Sequence, residues 1–148
     1  MKPPTSEWVE KAEADFRSAA RERLARKSPN YDLACFCAQQ CAEKYLKAVL
    51  REKRRPIPKI HDLAVLIELP KPLYPELVLL SPFAESLSSC AVMFRYPGAE
   101  ATKESAMQSY LDCSEVRGAT RRILGLPGNG GRKRRVRSSR ARRGQADS

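Results

Sequence analysis

The spacing of apolar positions divides the chain into helices. Between residues 6 and 26, Trp8, Ala12, Phe16 and Ala19/Ala20 recur every three or four positions with charges between them, the period of an amphipathic helix. Thr5 or Ser6 is the candidate N-cap, Glu7 and Glu10 are placed to meet the positive end of the helix dipole, and Ser28-Pro29-Asn30 ends the pattern. A second helix is predicted from Tyr31 to about Lys53. With Gln40 at zero on a wheel of about 100° per residue, Ala34, Cys35, Cys37, Ala38, Cys41, Ala42, Tyr45, Leu46 and Val49 fall between about 60° and 240°. An apolar arc this wide predicts a central helix that touches several neighbours. Gln40, Glu43, Lys44, Lys47 and Arg51 form the remaining stripe, which is narrow and mostly basic.

Arg54-Arg55-Pro56-Ile57-Pro58-Lys59-Ile60 is a proline-bounded loop. His61-Asp62 then opens a short helix, with Asp62 as its cap and Leu63, Leu66 and Ile67 facing inward. Pro70, Pro72 and Pro75 make a connector. Ser81-Pro82 starts a further helix through Phe83, Leu87, Cys90/Ala91 and Phe94, stopped by Pro97-Gly98. The last helix is predicted from about Thr102 to Leu124, with Met107, Tyr110, Leu111 and Ser114 on one side and Gly125 as its C-terminal cap. No stretch alternates apolar and polar residues persuasively. The predicted fold is therefore all-α: four main antiparallel helices plus a short one, packed as a bundle over residues 6–125. Residues 126–148 turn to Gly, Arg and Ser, a composition that cannot bury a core and predicts a disordered tail.

Charge refines this division. The 148 residues carry 28 Lys+Arg against 17 Asp+Glu, a net charge of +11. From Gly131 to Ser148 eight basic residues face one acid, +7, which leaves the rest with 20 basic and 16 acidic residues, +4. The body is nearly balanced and the tail is a polyelectrolyte, suited to salt-sensitive, non-specific contact with nucleic acid or another polyanion; a terminal extension without a role is the other reading. No run approaches the roughly 18 apolar residues of a membrane span. The charged first residues carry no signal-peptide pattern, so five cysteines point to reduced thiols and a cytoplasmic location. Cys37 and Cys41 share a helix face, but Cys35 lies about 160° from Cys37, too splayed for one tetrahedral metal site, so buried free thiols are expected. No cofactor motif is present.

Several segments taken together resemble a HEPN domain. They are Trp8…Asp15, the run Tyr31-Asp32-Leu33-Ala34-Cys35-Phe36-Cys37-Ala38-Gln39-Gln40-Cys41-Ala42-Glu43-Lys44-Tyr45-Leu46-Lys47-Ala48, His61-Asp62-Leu63, and Phe94-Arg95-Tyr96-Pro97. The resemblance covers about residues 6 to 124. It implies an antiparallel helical bundle that usually forms a homodimer, and a small nucleotidyltransferase as partner, often in a toxin–antitoxin pair. It also implies nucleotide binding, or, in several branches, metal-independent RNA cleavage by an Arg-x4–6-His motif at the dimer interface.

Cleavage without a metal needs a group to move the 2′-OH proton and a cation to steady the phosphorane, roles that His and Arg fill. His61 is the chain's one histidine, with Arg54 and Arg55 seven and six positions before it. In the family the motif falls later, where this chain has Arg95 but no histidine from Tyr96 to Thr102. The catalytic candidates are thus His61 with Arg54, Arg55 or Arg95. Candidates for binding nucleotide or RNA phosphates are Gln40, Lys44, Lys47, Arg51, His61 and Arg95, with Tyr96 stacking on a base. Each has a plainer reading: His61 as a backbone partner at a helix start, the stripe as a solvated face with Glu43–Lys47 an ordinary pair of about 0.3 kcal/mol. Three functions stand open: a phosphate-binding accessory protein, a ribonuclease toxin, and a non-catalytic interaction module.

Overall fold

In a computed structural model, the described residues are 3–93 and 96–128. They form five α-helices and one 3-10 helix: α1 Pro3–Leu24, α2 Tyr31–Glu52, α3 Leu63–Glu68, the 3-10 helix Pro75–Leu80, α4 Ser81–Met93 and α5 Lys103–Leu124. Among the described residues there is no strand.

Most helix ends follow from local chemistry. The Asn30 side chain accepts from the Leu33 N–H at 2.9 Å and caps α2. Asp62 accepts from the N–H groups of Ala64 and Val65 at 3.0 and 3.4 Å and caps α3, as its position predicted. Thr102 accepts from Ser105 N–H at 3.0 Å to cap α5, which closes at Gly125 in the left-handed region at φ 75°. Helix α1 departs from expectation. It contains Pro3 and Pro4 in its first turn, where their missing N–H groups cost nothing. Thr5 lies inside the helix and is fully buried, Glu7 and Glu10 lie beyond the first turn, and the helix ends at Leu24, four residues before Ser28 turns left-handed at φ 49°. The 3-10 helix was not anticipated: the prolines predicted a plain connector, whereas Pro75 starts a turn that buries Leu77 and Leu80.

Helix α2 is central, with 14 of its 22 residues buried, and it packs most extensively on α1 and α5. Tyr45, Leu46 and Leu50 are fully enclosed, with Leu63, Leu66, Ile67, Leu77 and Leu87 completing the core. Successive long helices run antiparallel, whereas α2 and α5 run side by side in the same direction: Asp32 accepts from Ala101 N–H at 2.7 Å near one end and Tyr45 accepts from Arg121 at 2.7 Å near the other. Close approach is possible because α5 presents Ala106, Ser109, Cys113, Val116 and Thr120. That face corrects the sequence expectation for α5. Met107 and Leu111 are exposed, and Tyr110 stacks on Phe16 with ring centroids 5.1 Å apart.

A buried polar network ties α1, α2 and α5 together. Arg117 grips Glu13 with two bonds of 2.6 and 2.9 Å, Tyr45 donates its hydroxyl proton to the same carboxylate, and Arg121 approaches it at 3.5 Å. Burial alone would raise the Glu13 carboxyl, but hydrogen bonds from Arg117 and Tyr45 and the charges of Arg117 and Arg121 outweigh it and hold its pKa below the ordinary value. Burial, and then the bond to Glu13, push the Tyr45 hydroxyl upward. The same guanidiniums donate outward, Arg121 to Pro127 O and Arg117 to Gly128 O. The chain is thus fastened to the bundle through residue 128, three residues beyond the predicted boundary; the rest of the predicted tail, 129–148, lies outside the described residues.

Candidate functional site

The Gln39-Gln40, Glu43 and His61 positions converge on one point. Glu43 is only 3% exposed, yet its carboxylate takes four partners. Lys47 donates at 3.0 Å, Gln40 at 3.3 Å, Gln39 at 3.5 Å, and His61 Nδ1 lies 3.0 and 3.1 Å from the two oxygens. Gln39 also donates to His61 O at 3.2 Å and accepts from Gln40 at 2.9 Å, so the glutamine pair fixes the loop as well as the carboxylate. A carboxylate only accepts, so His61 Nδ1 carries the proton that faces it, and Nε2 keeps its lone pair in the neutral ring. The His61 side chain is 78% exposed. An imidazole oriented by a carboxylate and open to solvent is equipped to accept or deliver a proton.

This cluster changes the expected basic stripe. Lys47 is 6% exposed, paired to Glu43 and 5.8 Å from the Trp8 ring centroid, which makes Glu43–Lys47 a buried pair and not the ordinary surface pair expected. Lys44 is bound to Asp15 of α1 at 2.6 Å, and Gln40 is half-buried. Only Arg51 of the stripe stands exposed. Sequence reasoning passed over Gln39 and Glu43 as site residues. The available signal was their i, i+4 spacing with Lys47, which puts an acid between an amide and an ammonium on one helix edge.

At the C-terminal end of α2, Arg51 joins Arg54, Arg55 and Pro56 around an open bay of about 550 Å³, with no carboxylate in its lining. Between Glu43, where His61 is held, and Arg51, at the edge of the bay, α2 rises about 12 Å at 1.5 Å per residue. Arg95, the remaining catalytic candidate, lies outside the described residues, and Tyr96 is 64% exposed.

Cys35, Cys37, Cys41 and Cys113 are buried free thiols and Cys90 is half-buried. Burial pushes the Cys37 thiol up to about 11 and raises the Cys41 thiol well above its ordinary value. Among the described residues no group of three or more His, Cys, Asp or Glu could hold a metal ion, and no helix is long and apolar enough to cross a membrane.

The chain is similar to the crystal structure of ST0689, an archaeal HEPN homologue, with a TM-score of 0.62 and 21% identity, covering 84% of this chain and 99% of that one. No curated protein matches. The family model for the HEPN domain matches residues 5–123, a span that takes in α1 to α5, the Gln39–Glu43–His61 cluster and the arginine bay. The chain belongs to the HEPN family.

Proposed function

We propose that this HEPN protein binds the phosphates of a nucleotide or RNA as a homodimer and works with a small nucleotidyltransferase partner in a toxin–antitoxin type pair. The observation that supports it best is the open bay lined by Arg51, Arg54, Arg55 and Pro56: three basic residues and no acidic one in its lining. The Arg-rich segment beyond residue 131 adds sequence-independent attraction for a polyanion. Fluorescence anisotropy of labelled RNA, with ATP as competitor, tests the binding. Wild type binds and an Arg51→Gln/Arg55→Gln variant binds measurably more weakly; equal binding by both removes the bay from the account. Affinity purification of this chain from its own cells tests the partnership: a small nucleotidyltransferase among the co-purifying proteins supports it, and a preparation without one removes it.

A second reading, metal-independent RNA cleavage, is favoured by one specific observation: the buried Glu43 carboxylate orients His61 and leaves its other ring nitrogen open. His61 would take the 2′-OH proton while an arginine from the bay or a second protomer steadies the phosphorane. Incubation of RNA with chelator separates the two readings. Cleavage that disappears in His61→Ala makes the protein a ribonuclease; an intact substrate makes it a binding protein.

A further inference from the structure

Helix α5 has a buried face and a separate apolar stripe that the bundle leaves outside. Ala106, Ser109, Cys113, Val116 and Thr120 face inward, whereas Met107 and Leu111 stand one turn apart on the outer side, Leu111 being 49% exposed. The C-terminal half of α1 lies alongside this stripe. Phe16 stacks on Tyr110, the guanidinium carbon of Arg23 is 3.8 Å from the Tyr110 ring centroid, and Arg23 Nη1 is 3.8 Å from the Met107 sulfur. Leu24, the next residue, is 62% exposed and adds a third apolar side chain at this seam. Its surroundings are basic. From Phe16 to Lys27 the chain has five cations, Arg17, Arg21, Arg23, Arg26 and Lys27, against one acid, Glu22, which accepts from Asn30 N–H at 2.9 Å. Arg17, Arg21, Arg26 and Lys27 are exposed, and Arg23 Nε is buried without a partner among the described residues. Glu104 and Glu115, exposed on α5, are too few to balance them.

We propose that the seam between α1 and α5 docks an acidic amphipathic helix of another protein, whose apolar ridge covers Leu24, Met107 and Leu111 and whose carboxylates meet Arg17 and Arg21. Neighbouring helices leave a groove between them, and a third helix fills it with apolar residues three and four apart. Arg17 and Arg21 are one turn apart on α1 and Leu24 follows three residues later, so an acidic flank beside that ridge meets both arginines. Charge selects this occupant. A second copy of the chain brings the same five cations to the contact, and the segment beyond residue 131, with eight basic residues and one acid, is repelled by the face. A nucleic acid would satisfy the arginines but leave three apolar side chains against its hydrated phosphates. None of these residues lines the arginine bay, so the proposal stands apart from phosphate binding there.

Photocrosslinking of the full-length chain in its own cells tests this, with benzoylphenylalanine in place of Leu111. The control carries it in place of Val65, exposed on α3, which among the described residues touches neither α1 nor α5. Sequencing the crosslinked peptides identifies what covers each position. The expected result is a protein joined to position 111 and not to position 65, through a segment with apolar residues three and four apart and Asp or Glu beside them. That segment, made as a labelled peptide, should bind wild type in anisotropy titrations and bind both Leu24→Ser/Leu111→Ser and Arg17→Glu/Arg21→Glu about tenfold or more weakly. All four residues are exposed, so both variants should keep the wild-type circular dichroism and melting temperature. Crosslinks from position 111 to a second copy of this chain, to nucleic acid, or to a segment without acidic residues overturn the proposal. So do the absence of any crosslink there, the same crosslinks from both positions, and peptide affinity that Arg17→Glu/Arg21→Glu leaves unchanged.

Discussion

Glu13→Ala is the substitution with the largest predicted effect on stability. Glu13, half-buried with its side chain 22% exposed, is the shared anion of Arg117 and Arg121, whose side chains are each 9% exposed. Its removal cuts the two bonds of 2.6 and 2.9 Å from Arg117, the 3.5 Å approach of Arg121, and the acceptor of the Tyr45 hydroxyl. Two guanidiniums would remain buried with their carboxylate gone. Breaking a fully buried pair from one side costs roughly 3–5 kcal/mol, because the surviving charge keeps its desolvation penalty; with Glu13 half-buried and the arginines keeping their carbonyl partners, the lower end, about 3 kcal/mol, is expected. For a bundle of this size, at about 3–5 °C per kcal/mol, the melting temperature should fall by roughly 9–15 °C. Thermal unfolding followed by circular dichroism in Glu13→Ala, Arg117→Met and the double variant measures it, and the double variant should be more stable than the two single losses sum to. A loss below about 1 kcal/mol, the range of an exposed ion pair, would refute the view that this network is a buried tie between α1, α2 and α5.

Acid should act through the same carboxyl. The Glu13 pKa is lowered on folding, so its contribution to stability is complete above the unfolded value and is lost as pH falls through the lower folded value. Melting temperature should decline as pH drops past 4.5, the carboxyl's ordinary value, with a shallower decline in Glu13→Gln; parallel profiles would argue against the assignment. Leu46→Ala removes a fully buried side chain from the central helix and should cost about 2–5 kcal/mol in chemical denaturation. Thiol labelling at pH 8 should modify Cys90 in the native protein and reach Cys35, Cys37, Cys41 and Cys113 only after unfolding, as counted by mass spectrometry.

Much of the fold was legible in the sequence, and the exceptions share one physical origin. The limits of α2, the Asp62 cap and the Gly125 turn depend on neighbours within a few residues, and local pattern found them. Periodicity assigns charged residues to the surface, which fails where a distant partner permits burial. Arg117 and Arg121 occupy the inner face of α5 because Glu13, more than a hundred residues earlier, neutralises them, and this displaces Met107 and Leu111 outward. Glu43 and Lys47 likewise lie inside because His61 and Gln39 close over the carboxylate. The arginines of the bay were visible as a basic loop, but the left-handed backbone of Arg54 at φ 56° was not, since sequence preference places glycine there.

Phosphate contact at the bay is measured most directly by the salt dependence of RNA binding. Anisotropy titrations of a single-stranded RNA at several salt concentrations should give a steep slope of log K against log[salt] in wild type. In Arg51→Gln/Arg55→Gln the affinity should fall and the slope should become shallower by about 1.4, two contacts at about 0.7 each. The same slope and affinity in both proteins would place all the binding in the basic tail and contradict a phosphate site at the end of α2.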